Sequence, residues 1–382
     1  MMELNRNLAQ LTRSPIRAFT NLANATPGCI KLTIGEPDFN TPENIKAAAA
    51  AALAMDQTHY APNQGPAQRR RAIAEYETRR GLPTNPEEVL VTVGACQALF
   101  TALMGILNPG DEIIVPTPGF VLYSQIATLA GAKTRPLDVS KTGFQIRARD
   151  LEALITPRTK AVILNSPCNP TGTVFDRDSL EAVKGAVMTH DMFLICDNVY
   201  ASLFYGRELP DLSLDPDLRD KTILCQSFSK PWAMTGWRVG YLRAPKYVTE
   251  RLLLLSAATI TAVPTFLQAA AVEALSTDVS PMREIYRARR DYVCRRLDNM
   301  GLPYPMPEGA FYVFADIREL SQDSEEFCRR MIREALLAAV PGSCFGTEGY
   351  IRLSYAASEE DLREGLNRLE RFVHILRREK TV

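Results

Sequence analysis

The chain has 382 residues, with 44 lysines and arginines balanced by 44 aspartates and glutamates, three histidines, and a hydrophobic fraction of 46%. These are the values of a globular protein with one or two substantial cores, and they exclude disordered, collagen-like and low-complexity classes. The charge balance argues against a nucleic-acid binder with a broad basic face, and three histidines leave little for a histidine metal site, so neither partner is expected.

The first fifteen residues, MMELNRNLAQLTRSP, carry no apolar h-region, so no secretory signal is expected. Residues 47–55 form an alanine-rich run too short to span a bilayer. Residues 89–93 read as a short strand. Residues 95–107 have helical periodicity and stop at Asn108-Pro109-Gly110. Residues 113–115 are the next strand and 120–130 the next helix. Residues 161–164 are a strand, and Asp178 with Glu181 predicts a capping box for a helix ending near His190. Residues 193–196 and 222–225 are again short apolar strands. Uninterrupted apolar strands between helices imply a mostly parallel α/β sheet covered on both faces. The apolar stretch 252–263 is broken by Ser256, Thr259 and Thr261, so no membrane partner is expected. Beyond about Ser276 the pattern becomes α+β. Helices are predicted at 282–300, 325–339 and from Ser358 to about Arg378, and strands at 310–315 and 350–355.

Polar clusters follow four of the strands. Gly94-Ala95-Cys96 opens a helix, and Asn165 to Gly172 (NSPCNPTG) follows AVIL. Asp197-Asn198-Val199-Tyr200 follows FLIC, and Ser227-Phe228-Ser229-Lys230 follows TILCQ, with Arg238 just beyond. In an open parallel sheet, ligands bind beyond the carboxyl ends of the strands, so the four clusters converge on one site. Free amides at the helix start, two serines and an arginine suit a phosphate dianion. A buried aspartate needs a cationic partner, and Lys230 is either that partner or a covalent nucleophile. Phosphate site, amine, aspartate and amide or phenol donors are together the parts that hold pyridoxal phosphate.

These segments, together with LTIGEPDFNTP (32–42), HYAPNQG (59–65), PEGAFYVF (307–314) and GYIRLSYAAS (349–358), resemble the class I/II family of fold-type I, pyridoxal-phosphate-dependent aminotransferases. The resemblance covers essentially the whole chain. LTIGEPDF, DYVCRRLDNMGL and the REGLNRLERFV tail resemble bacterial aminotransferases acting on diaminopimelate- or lysine-pathway amino acids.

The resemblance implies a large domain with a mostly parallel seven-stranded sheet (43–276) and a smaller α+β domain built from 1–42 and 277–382. It implies a ping-pong transfer from an amino acid to a 2-oxo acid, 2-oxoglutarate being the expected acceptor. Lys230 matches the lysine that binds the cofactor covalently and then moves the proton. Asp197 matches the partner of the pyridine nitrogen, and Asn169 and Tyr200 the donors to the phenolic oxygen. Ser227, Ser229, Arg238, Gly94 and the amides of Ala95 and Cys96 match the phosphate cup, and Phe120 the aromatic stacked on the ring. Arg352 matches the clamp for the substrate carboxylate, with Ile34, Gly35 and Asn169 beside it. Tyr60 matches a tyrosine that reaches the phosphate of the neighbouring subunit, so a homodimer with shared active sites is expected.

Asn198 departs from the family's usual glutamate, and Cys96 from its usual hydroxyl residue. Eight scattered cysteines without a CxxC pair read as free thiols in a reducing cytoplasm. A carbon–sulfur β-lyase on the same fold is the alternative activity. A transcriptional regulator with an aminotransferase-like domain needs a helix-turn-helix segment for which the residues before Ile30 leave no room. A second arginine for a dicarboxylate side chain has Arg17 and Arg69 to Arg71 as candidates, which read more readily as a solvated helix face.

Overall fold

A computed structural model describes residues 4–11 and 15–380. The first eight strands in chain order are β1 (Ile30–Lys31), β2 (Val89–Thr92), β3 (Glu112–Thr117), β4 (Lys133–Asp138), β5 (Thr159–Asn165), β6 (Phe193–Asp197), β7 (Thr222–Ser227) and β8 (Gly240–Arg243). They are followed by β9 (Tyr312–Asp316), β10 (Leu337–Ala338), β11 (Val340–Pro341) and β12 (Tyr350–Ser354). Strands β2 to β8 form a seven-stranded sheet in the order β2-β8-β7-β6-β5-β3-β4. Strand β8 is antiparallel to both neighbours, and the other pairings are parallel. Since β2 and β7 both oppose β8, the carboxyl ends of β2, β5, β6 and β7 share one edge.

Side-chain alternation explains why these strands are apolar throughout. Ala161 and Ile163 enter the cluster that holds Leu99, Leu103 and Leu252, from the helices Gly94–Ile106 and Lys246–Ile260. Val162 and Leu164 enter the opposite cluster with Val183 and Val187 of the helix Arg177–Thr189. A two-residue period with helices on both faces leaves no solvent side for polar residues.

The C-terminal layer is a three-stranded antiparallel sheet, β11-β12-β9, packed with the helices Ser280–Met300, Ser324–Ala335 and Glu359–Glu379. The N-terminal segment joins this layer. Strand β1 pairs in parallel with β10, Ser354 N donates to Leu32 O at 2.9 Å, and Arg368 Nη1 donates to Gly28 O at 2.8 Å. Among the described residues no helix is long and apolar enough to cross a membrane.

Several predicted boundaries move for identifiable reasons. The cap of the helix Arg177–Thr189 is Asp176, whose carboxylate accepts from Ser179 N at 2.7 Å, so Asp178 sits in the first turn. The helix expected over 120–130 begins at Leu122. The helix expected over 325–339 stops at Ala335. Leu336 takes a left-handed φ of 49°, and the next two residues pair with β1 instead. The strand expected from 310 begins at Tyr312, because Ala310 has φ 58°. Ser358 caps the last helix as expected, its Oγ accepting from Asp361 N at 3.1 Å. Strand β4 carries Lys133, Arg135 and Pro136 and gave no apolar signal. It is an edge strand, where a proline is tolerated.

Candidate functional site

The shared edge of the sheet borders a cavity of about 250 Å³. Each strand contributes its last residue or the turn beyond it. Asp197 ends β6 and is 3% exposed. Its carboxylate accepts from Tyr123 Oη at 2.6 Å and from Val199 N at 3.4 Å. Among the described residues no cation pairs with it. Burial pushes its pKa up from 3.8 to about 6, opposed by the Tyr123 hydroxyl, the Val199 amide and, last, Lys230.

The turn after β7 is fixed by its own serine. Ser227 Oγ accepts from Ser229 N at 3.0 Å, and Lys230 follows. Lys230 Nζ donates to Gly35 O at 2.5 Å. Burial lowers the amine to about 8, and the Glu36 carboxylate partly opposes this. Such an amine gives up its proton more readily than an ordinary lysine, and the free form is the nucleophile.

After β5, Asn165 ties the NPTG loop to β6. Its Nδ2 donates to Asp197 O at 2.9 Å, and its Oδ1 accepts from Asn169 N at 2.9 Å. Asn169 Oδ1 in turn accepts from Arg352 Nη1 at 2.8 Å, and Arg352 Nη2 donates to Thr33 O at 2.7 Å. Arg352, from β12, is 2% exposed, and its Nε is buried without a partner among the described residues. An open N–H on a fully desolvated guanidinium is a docking point for a carboxylate.

The helix after β2 presents its amides beside a cation. Arg238 adopts φ 56° and donates from Nη1 to Thr235 O at 2.8 Å. A Cβ on Gly94 would meet Arg238 Nη2 at 2.8 Å, and Gly94 has φ 71°, so this position requires glycine. Helix amides, the Arg238 guanidinium, Ser227 and Ser229 together form an anion cup.

Of the residues expected from sequence, Gly35, Ala95, Cys96, Phe120, Asn169, Asp197, Tyr200, Ser227, Ser229, Lys230, Arg238 and Arg352 all line this cavity. Gly94 stands directly behind Arg238. Ile34 does not line the cavity and is 38% exposed. Tyr60 is 92% exposed and does not reach the cavity of its own chain. Arg17 and Arg69 to Arg71 do not line it either. Arg69 Nη2 donates to Gln57 Oε1, and Arg70 bonds the carbonyls of Gly65 and Pro86. Asn198 turns away, donating to Asp211 and Ser213, so it braces a neighbouring turn.

Sequence reasoning missed Tyr123, Tyr312 and Ile16, which also line the cavity, as does Asn165 of the cluster after β5. Tyr123 had a signal. It follows Phe120 by three residues, and the rings meet edge to face at 5.9 Å. No His/Cys/Asp/Glu cluster suited to a metal occurs among the described residues.

The donor set fits pyridoxal phosphate. A buried carboxylate without a cation suits the ring N–H, the anion cup suits the phosphate, and a buried amine of lowered pKa suits the carbonyl. The comparisons with known proteins agree. A family model described as aminotransferase class I and II matches residues 27–369. The aromatic-amino-acid aminotransferase 2 of Thermococcus litoralis is 39% identical, with 100% of both chains covered. The probable N-acetyl-LL-diaminopimelate aminotransferase of Bacillus subtilis is 40% identical over 97% of this chain and 95% of its own. The solved aspartate aminotransferase of Thermus thermophilus with maleate superposes with a TM-score of 0.93 at 38% identity, over 97% of this chain and 100% of that one. These relatives are aminotransferases, and nothing in them favours the lyase alternative. The chain belongs to the class I and II aminotransferases, enzymes that move amino groups with pyridoxal 5'-phosphate.

Proposed function

We propose that the chain transfers the amino group of an α-amino acid to 2-oxoglutarate in two half-reactions at the cavity around Lys230. The observation that carries this reading is the joint placement of the Lys230 amine and the Arg352 guanidinium in one cavity, with Asn169 bonded to Arg352 between β5 and β12.

Bound pyridoxal phosphate supplies an electron sink that makes the substrate Cα–H acidic. The chain does the rest. Lys230 would hold the group through Nζ and, once displaced by substrate, its free amine would carry on Nζ the proton that leaves Cα. Arg352 clasps the α-carboxylate, and Phe120 covers the ring, so Cα is held in one orientation. Asp197 keeps the ring nitrogen protonated. Tyr200 and Asn169 donate to the phenolic oxygen, while Arg238, Ser227, Ser229 and the amides of Ala95 and Cys96 hold the phosphate.

The same reading makes the enzyme a homodimer in which Tyr60, exposed on its own chain, serves the partner's phosphate site. It divides the chain into a large domain over 43–276 and a small one from 1–42 and 277–382. All eight cysteines are free thiols, which supports a reducing cytoplasm. The named relatives act on different donors, so the decisive test is a half-reaction screen. Holoenzyme is mixed with aromatic, acidic and diaminopimelate-type amino acids in turn, and loss of the visible cofactor absorbance is followed. The reading expects a fast phase with at least one of these classes and fails if none reacts.

Asp197 gives a pH prediction. Its pKa is raised on folding, so folding takes up a proton between pH ~4 and ~6. Stability of the cofactor-free chain therefore falls as pH rises through that window, by about 2–3 kcal/mol from this group. Asp197→Asn is expected to be more stable than the parent above pH 6 when both lack cofactor, and to be nearly inactive. Thermal melts of both proteins from pH 4 to 8 check this. Parallel pH profiles contradict it.

Cysteine accessibility gives another. Cys96 is exposed at the cavity, and although desolvation raises its thiol too, Arg238 and Lys230 oppose this; Cys168 and Cys196 are buried and burial pushes both thiols well up. Alkylation of the cofactor-free chain is therefore expected to impair cofactor uptake through Cys96. Alkylated enzyme is expected to take up cofactor slowly and incompletely, and Cys96→Ser to be insensitive. Full uptake by an alkylated parent contradicts this.

A further inference from the structure

Tyr312 was not singled out from sequence, yet it lies against three of the expected residues, Tyr200, Arg352 and Gly35. It is 1% exposed, on β9, and lines the cavity. Its Oη lies 2.9 Å from Tyr200 Oη, and among the described residues this is its sole hydrogen-bond partner. The Arg352 guanidinium carbon stands 4.4 Å over its ring centroid. A Cβ on Gly35 would come within 2.2 Å of Tyr312 Oη, so the loop whose carbonyl accepts from Lys230 lies directly against this phenol.

We propose that Tyr312 is a positioning residue, whose hydroxyl fixes Tyr200 and whose ring seats Arg352. The inference rests on the assignment of Tyr200 to the phenolic oxygen. A phenol has one proton and two lone pairs. When Tyr200 directs its proton to that oxygen, its lone pair is left for the proton of Tyr312. Accepting this bond polarises the Tyr200 hydroxyl and restricts its rotation, so it becomes a stronger and better aimed donor. The ring works separately. A desolvated guanidinium over an aromatic face is held by the ring quadrupole, and Phe345 closes on the same group at 5.0 Å. One side chain thereby couples the carboxylate clamp to the donor at the phenolic oxygen.

The two functions separate by substitution. Tyr312→Phe removes the hydroxyl and keeps the ring. Less stabilisation of the phenolate raises the pH midpoint of the holoenzyme's visible absorbance, by roughly 0.3–1 pH unit. kcat falls by roughly 3–10-fold, and KM for the amino acid changes little. Tyr312→Leu also removes the ring, and KM rises by a further several-fold.

A merely structural Tyr312 would leave the absorbance midpoint of Tyr312→Phe in place, and that result overturns the inference. Tyr200→Phe distinguishes it from its foundation. A midpoint that moves in Tyr200→Phe but not in Tyr312→Phe overturns the role of Tyr312 alone. A midpoint that moves in neither overturns the assignment of Tyr200 as well.

Discussion

Lys230→Ala is expected to lose the visible cofactor absorbance and to lower kcat by roughly 10⁴-fold or more. On the proposed assignment two functions disappear together, the covalent link and the proton carrier, and the second alone is worth about 10²–10⁴-fold. The structure explains why no neighbour substitutes. The other cations lining the cavity among the described residues are Arg238 and Arg352, and a guanidinium stays protonated and cannot act as an amine nucleophile. Lys230→Arg should fail equally, which separates loss of the amine from loss of the charge. Absorption spectra and single-turnover assays of both variants check this. Retained turnover in either contradicts the assignment.

Arg352→Leu is the second large effect. The guanidinium is fully desolvated and already joins Asn169 to the carbonyl of Thr33. Removing one partner of a buried charged contact costs about 2–5 kcal/mol, so kcat/KM should fall by roughly 30- to 5,000-fold. In the proposed reading both half-reactions use the same clamp, so the amino acid and the 2-oxo acid should weaken in parallel while the cofactor spectrum persists. Arg352→Lys should recover only part of the loss, since an ammonium keeps charge without the planar fork. A variant that weakens only one of the two substrates contradicts the shared clamp.

Most of the site was legible because chemistry and topology coincide in it. Asp197, Lys230 and Asn169 each stand just beyond an apolar strand, where polar residues have no packing reason to be. Arg352 was legible by motif alone, since it lies within β12 and reads locally as a strand residue. Tyr123 and Tyr312 were hidden by the same logic. A phenol on an apolar helix face or strand looks like core, and only the fold shows that their hydroxyls meet Asp197 and Tyr200. The helix boundary at Ala335 failed for a related reason. The apolar run 336–340 continues the composition of a helix, while its pairing with β1, some three hundred residues earlier, is invisible to local periodicity. Tyr60 lies beyond what one chain can explain, because its proposed target belongs to a second copy.

The central claim is that the amino group passes through the enzyme. It is tested most directly by mixing holoenzyme with a nitrogen-labelled amino acid and no 2-oxo acid. The expected result is a single turnover, with one 2-oxo acid formed per active site, loss of the visible absorbance and no free ammonia. Adding 2-oxoglutarate should then restore the absorbance and release glutamate carrying the label. Continuous release of labelled ammonia without an acceptor would contradict the account.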